Sequence, residues 1–281
     1  MGYSSFDFTV DRQVAHIAFN RPEKRNAMTL AFWHEIRNVF AEIEGRDDVR
    51  AVVISSTGPH FSAGMDLSVF GALRPEGEID EGRKRENLRR QILWFQDCFS
   101  AIERCRVPVL VAIQGGCIGG GVDLATACDM RYASADAFFV VKEIDLAIVA
   151  DVGTLQRLPR VMPDGLAREL AYTGRKFGAE EARACGLVNA VFADHKELVA
   201  GVLAMAHVIA AKSPLATVGT KSVLNYGRDH SVADGLDYVA TWNAGMLVTQ
   251  DMAEIFKAGS EKRSPTFDDI VAVVPAAKAR G

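Results

Sequence analysis

At 281 residues, with 49% hydrophobic and 24% charged side chains, the chain has the composition of an ordinary globular protein with one substantial core. A formal net charge of −4 gives no support to nucleic-acid binding, and five cysteines without a CxxC pair and six histidines without an HxxxH pair argue against a disulfide framework or a zinc site. The N-terminal residues carry no basic run followed by an apolar one, and no segment is long enough to span a membrane, so the default expectation is a cytoplasmic protein.

Taken in order, residues 6–10 and 14–19 alternate apolar and polar about Asp11-Arg12, a hairpin signature. The loop NRPEKRNAM covers 20–28. Thr29 then caps a helix to about Ile43, with Leu30, Trp33, Ile36, Val39, Phe40 and Ile43 at helical spacing. The β-branched run 51–55 reads as a buried strand that ends in the glycine-containing turn TGPHFSAGMDL. Residues 71–81, with Pro75, Gly77 and several acids, read as a mobile loop. A long helix over 83–105 follows, with Leu88, Ile92, Phe95, Phe99 and Ile102 on one stripe. Its basic residues Arg83, Lys84, Arg85, Arg89 and Arg90 are interspersed with Glu86, which suits a solvated face better than a phosphate footprint.

An apolar strand over 107–113 runs into GGCIGGGVDLATACD (115–129), a glycine cluster that opens a helix. Short strands are expected over 130–133 and 137–141. Helices are expected over 153–162, 166–173 and 179–185, with Gly186 ending the last, and a strand returns over 188–192. From 197 to 259 the pattern is helical throughout, Pro214 opening one helix, and the last twenty residues look frayed. The chain therefore divides into an α/β core over 1–195 that holds the site and a helical region over 196–281, expected to cover the core and active site or to build a subunit interface, with no linker that would make the second independent.

The glycine run matches neither the dinucleotide fingerprint nor a P-loop. Its position after a strand suggests another use. Gly64-Met65 after one strand and Gly119-Gly120 after another offer backbone N–H donors from two turns. If those strands are neighbours, the donors could converge on one oxygen, as a developing enolate requires. The plainer alternative is two tight turns. Three carboxylates accompany them, each ambiguous alone. Asp123 could serve its helix dipole, Glu143 could join a surface network with Lys142 and Asp145, and Asp151 could be an N-cap. The apolar neighbours Ile148, Val149, Ala150 and Val152 favour a partly desolvated Asp151 with a raised pKa, suited to proton transfer.

FSAGMDL, GGCIGGGVDLATACD, KEIDLAIVADVGTLQRLPR and NRPEKRNAM together resemble the crotonase (enoyl-CoA hydratase/isomerase) superfamily over nearly the whole chain. Within it the chain is most similar to the 3,5-dienoyl to 2,4-dienoyl-CoA isomerases, whose Asp, Glu and Asp at intervals of twenty and eight match Asp123, Glu143 and Asp151. The run DYVATWNAGMLVTQD (237–251) is similar as well.

The resemblance implies a spiral of strand–strand–helix units with a helical C-terminal region for trimers or hexamers. It implies catalytic roles for Asp123, Glu143 and Asp151, and an oxyanion hole from the N–H groups of Met65 and Gly120. Arg25, Ala27, Ser62, Ala63, Gly64, Asp66 and Leu67 would hold the coenzyme A moiety. No cofactor beyond the CoA of the substrate and no metal is implied, and the reaction would belong to fatty-acid β-oxidation. The runner-up is a 2-enoyl-CoA hydratase or 3,2-enoyl-CoA isomerase, although hydratases carry glutamates at the positions of both Asp123 and Glu143. Outside the enzymes, the alternative is a non-catalytic acyl-CoA- or RNA-binding relative. Independently of the resemblance, 236–256 carries more apolar surface than one amphipathic stripe needs, which points to a subunit interface, the rival being that these helices fold back and finish the core of a single chain.

Overall fold

The computed structural model describes residues 2–72, 77 and 79–273. Strands β1 (Phe6–Asp11) and β2 (Val14–Phe19) form the hairpin, with the tip one residue later than expected: Arg12 and Gln13 both take positive φ (43° and 66°). Paired positive φ values give the turn the twist that antiparallel strands need. Thr29 caps α1 (Leu30–Gly45) by accepting the Phe32 N–H, and β3 (Ala51–Ser56) follows. After the first glycine turn comes α2 (Leu67–Ala72), then α3 (Glu81–Arg104), capped by Asp80. The loop expected over 71–81 lies partly outside the described residues; Gly71 and Ala72 are helical, and Glu81 already belongs to α3.

The centre of the chain forms β4 (Val109–Ile113), β5 (Gly116–Ile118), α4 (Gly120–Ala127), β6 (Met130–Ser134) and β7 (Phe138–Val140). Then come α5 (Thr154–Arg157), α6 (Asp164–Thr173), β8 (Phe177–Gly178), α7 (Ala179–Ala184) and β9 (Ala190–Phe192). The helix expected over 153–162 is shorter, giving way to a 3-10 turn at Pro159. A six-stranded sheet runs β1-β2-β3-β4-β6-β9, parallel except for β1 with β2, and a small second sheet runs β5-β7-β8.

Side chains alternate across a strand, so a parallel sheet covered on both faces needs apolar residues throughout. Val52, Ile54, Val109, Val111 and Ile113 face one core with Trp33 and Ile36 of α1 and Phe99 and Ile102 of α3. Ala51, Val53, Leu110 and Ala112 face the other, closed by Leu198, Val202, Ala206 and Ala210 of α8 (His195–Ala210). α8, which begins at the boundary expected near residue 195, thus completes the core.

Helices α9 (Pro214–Gly227), α10 (Val232–Met246) and α11 (Gln250–Glu261) follow. Buried Lys221 anchors α9 to the sheet, donating to the Asp129 carboxylate (2.7 Å) and the Val107 carbonyl (3.0 Å). The described part of the tail is not frayed. Arg50 donates to the Phe267 carbonyl and the Asp269 carboxylate, both at 2.7 Å, and Gln13 donates to Asp269 at 2.8 Å. The remainder of that tail, 274–281, lies outside the described residues.

Candidate active site

β3 and β4 are parallel neighbours, which meets the condition for their following turns to meet. The first turn is built against the 20–28 loop. Asn26, buried and with φ 51°, donates to the carbonyls of Thr57 (2.9 Å) and His60 (3.0 Å) and accepts the Arg21 N–H. The Ser62 hydroxyl donates to the Asn26 carbonyl and accepts the Gly64 N–H (3.1 Å), while Met28 N–H donates to the Gly64 carbonyl (2.8 Å). Gly64 has φ 85°, and a Cβ there would lie 2.7 Å from the Ile118 carbonyl oxygen and 3.2 Å from the Gly120 nitrogen. A Cβ on Gly120 would sit 3.6 Å from the Met65 nitrogen. The two turns are in contact because both are glycine. Among the described residues, neither the Met65 N–H nor the Gly120 N–H has a protein acceptor.

Both N–H groups belong to residues lining a cavity of about 710 Å³. Trp33, Leu88, Ile92 and Phe95 form an apolar wall, and Asp123, Glu143 and Asp151 lie together on the cavity lining. Asp123 is fully buried in the first turn of α4, and its Oδ1 accepts the Thr154 N–H at 2.6 Å. Burial first, then the Glu143 charge, push its pKa up to about 7, against the Thr154 hydrogen bond and with a smaller push from Asp151. Glu143 is half-buried, with Oε1 3.2 Å from where a Cβ on Gly119 would sit, and Oε2 is buried without a partner among the described residues. Burial and the Asp151 charge raise its pKa. Asp151, the most exposed of the three, is also raised, chiefly by desolvation.

The bland readings of the acids do not match this arrangement. Lys142 pairs with Asp145 at 2.7 Å, leaving Glu143 outside the surface network. Asp151 caps nothing: the N-cap of α5 is Gly153. Of the residues matched to CoA binding, Ala27, Ala63, Gly64, Asp66 and Leu67 line the cavity. Arg25 does not line that cavity; it lines an adjoining space of about 350 Å³ with Ala63, His60, Lys142 and Lys176. Ser62 does not face the cavity; it is fully buried, and its hydroxyl is committed to building the turn. Sequence reasoning missed the Thr154 N–H, the Trp33 and Phe95 wall and Gln96, whose side chain donates to the Asp151 carbonyl at 2.7 Å. The helical stripes of α1 and α3 marked Trp33 and Phe95 as buried, but nothing local marked a cavity beside them.

A family model described as enoyl-CoA hydratase/isomerase matches residues 9–270. Similar curated proteins include the peroxisomal Delta(3,5)-Delta(2,4)-dienoyl-CoA isomerase of Arabidopsis thaliana, 48% identical over 92% of this chain and 93% of its own. The mitochondrial protein of that name from Homo sapiens is 49% identical over 93% of this chain and 80% of its own. Among solved structures, an enoyl-CoA hydratase from Bacillus anthracis superposes with a TM-score of 0.85 at 30% identity, covering 94% of this chain and 99% of that one. These relatives overturn the cytoplasmic expectation, since the curated isomerases are named as peroxisomal or mitochondrial. Compartment is set by receptor-read addresses, and composition does not reveal it.

Proposed function

This chain belongs to the enoyl-CoA hydratase/isomerase family, and on that premise we propose that it converts 3,5-dienoyl-CoA to 2,4-dienoyl-CoA in fatty-acid β-oxidation. The observation that carries the proposal is the joint lining of one cavity by three carboxylates and two unpaired backbone N–H groups. The thioester oxygen accepts from the N–H groups of Met65 and Gly120. The Glu143 carboxylate removes a proton from C2, and the electron pair spreads through a trienolate whose oxygen the two donors stabilise. Asp151, protonated, delivers a proton to C6. The double bonds then stand at C2 and C4, conjugated with the carbonyl. Burial raises all three acids, the Asp151 charge adds to the rise at Glu143, and the Glu143 and Asp151 charges add to it at Asp123, which favours sharing a proton within the cluster. Asp123 tunes this pair. No cofactor takes part beyond the CoA of the substrate.

The CoA portion runs past Ala27, Ala63, Gly64, Asp66 and Leu67 toward the basic space at Arg25, Lys142 and Lys176. The hydratase reading is less suited to the site. Asp123 is one methylene shorter than glutamate and has one oxygen committed to the Thr154 N–H, which leaves less of it to activate a water. The assembly is a homotrimer or homohexamer. Its support is α10, in which no residue is buried although Leu236 is 64% exposed, beside a groove of about 530 Å³ lined by Leu224, Trp242, Met246, Leu247 and Ile255.

The test is Asp151→Asn, which keeps size and removes the acid. Turnover of a 3,5-dienoyl-CoA, followed by the absorbance of the conjugated product, is expected to fall at least about 100-fold. Wild-type-like turnover by this variant refutes the assignment. Crotonyl-CoA offered to the wild type in parallel exposes a hydratase, through rapid loss of enoyl absorbance.

A further inference from the structure

Two of the contacts that define the acid cluster come from the four residues 151–154. Asp151 and Val152 line the cavity, and the Thr154 N–H holds Asp123. This segment is not part of a sheet, and α5 spans only four residues, so its placement needs an external support. We infer that Arg157 is a positioning residue for it, through a buried guanidinium braced by Glu103; the catalytic part of this inference rests on the isomerase reading above.

Arg157 is 9% exposed and does not line the cavity, so it touches no substrate. Its Nε and Nη2 donate to Glu103 Oε2 at 3.1 and 2.9 Å, and Nη2 also donates to Ser100 Oγ at 3.1 Å. Both acceptors sit on α3, the long helix packed into the main core. Nη1 reaches back to the Val152 carbonyl at 3.4 Å. Gly153, between Val152 and Thr154, has φ 128°, and a Cβ on it would lie 1.9 Å from Arg157 Nη1. The guanidinium therefore occupies the place of the missing side chain and holds the backbone in a conformation glycine alone adopts readily. Gln96, also on α3, grips the same loop one residue earlier through the Asp151 carbonyl (2.7 Å).

The other Glu103 oxygen accepts from Arg228, just past α9, at 2.5 Å, and Asn225 of α9 donates to the Glu103 backbone carbonyl at 3.1 Å. Glu103 is thus held from two sides and presents a fixed acceptor to Arg157. A planar guanidinium satisfies several acceptors in one rigid fork, and a lysine ammonium cannot reproduce that geometry. Losing it frees Gly153 to shift and lengthens the bond from the Thr154 N–H to Asp123.

The experiment compares wild type, Arg157→Lys and Glu103→Gln. Turnover of a 3,5-dienoyl-CoA is measured together with hydrogen exchange of the Thr154 amide, which reports loop position without any substrate. In R157K, kcat is expected to fall about 10- to 100-fold with KM changed less than about threefold, since a shift of about 1 Å costs rate rather than binding. The Thr154 amide is expected to exchange at least about tenfold faster. E103Q is expected to move both readouts in the same direction by a smaller factor, and it decides alone if R157K does not fold. Lowered thermal stability with unchanged kcat and unchanged Thr154 exchange reduces Arg157 to a structural residue and overturns the inference. A wild type inactive on dienoyl-CoA defeats the isomerase reading instead, and amide exchange still decides the positioning.

Discussion

Gly64→Ala probes the donor pair directly. Gly64 sits at φ 85°, where an L side chain costs about 1–2 kcal/mol. The added methyl would meet the Ile118 carbonyl oxygen at 2.7 Å and the Gly120 nitrogen at 3.2 Å. Both neighbours are backbone, so relief requires the two turns to move apart by roughly half an ångström or more, and the Met65 and Gly120 N–H groups move with them. Loss of one such donor costs about 2.7–4 kcal/mol, or 10²–10³ in kcat. Partial misplacement puts the expected loss near 100-fold. Strain plus clash, about 2 kcal/mol together, should lower Tm by roughly 3–4 °C at this chain length. Gly186→Ala is the control. It has φ 87° but its nearest neighbour, the Val161 carbonyl oxygen, would be 3.9 Å away, so it should lose stability and keep kcat. A folded G64A enzyme with kcat within about threefold of wild type would refute the oxyanion assignment.

Asp123→Asn is expected to change the pH dependence of stability. The Asp123 carboxyl, at an ordinary 3.8 when free, is held at about 7 in the folded protein. Between those values the folded state keeps a proton that the unfolded chain has released, so this group's contribution is full below about pH 4 and is lost as pH rises toward 7, by about 1.4 kcal/mol per unit. The variant lacks that loss. The Tm difference, variant minus wild type, should therefore grow between about pH 4 and pH 7 and level off above, and a pH-independent difference in melting scans argues against a buried, titrating Asp123. For assembly, light scattering at micromolar concentration should give a multiple of 30.5 kDa, and a wild-type mass of one chain excludes the oligomer. Trp242, packed on Gly219 at the groove, is the probe: Trp242→Glu should reduce the mass while leaving the fold measurable by circular dichroism.

Much of this protein was legible locally. Thr29 before an i, i+3, i+4 apolar stripe specified α1, and a continuous β-branched run specified β3 as a strand covered on both faces. The glycine turns and the spacing of Asp123, Glu143 and Asp151 pointed to the chemistry, because those signals lie within short windows. Other features were not readable that way. Strands as short as β8, two residues long, have no period to detect, and they exist because β7 offers them a free edge. The role of α8 depended on which sheet face remained uncovered once α1 and α3 had packed on the other. Gln96 touches the 151–154 loop, and Arg157 touches its α3 support, through contacts between residues 55 and 54 apart in the chain. The raised pKa of Asp123 is likewise a tertiary property. Its grouping with Glu143 was implied by the family resemblance, but its desolvation and its bond to Thr154 arise from enclosure by elements distant in the chain, and no window of sequence contains that enclosure.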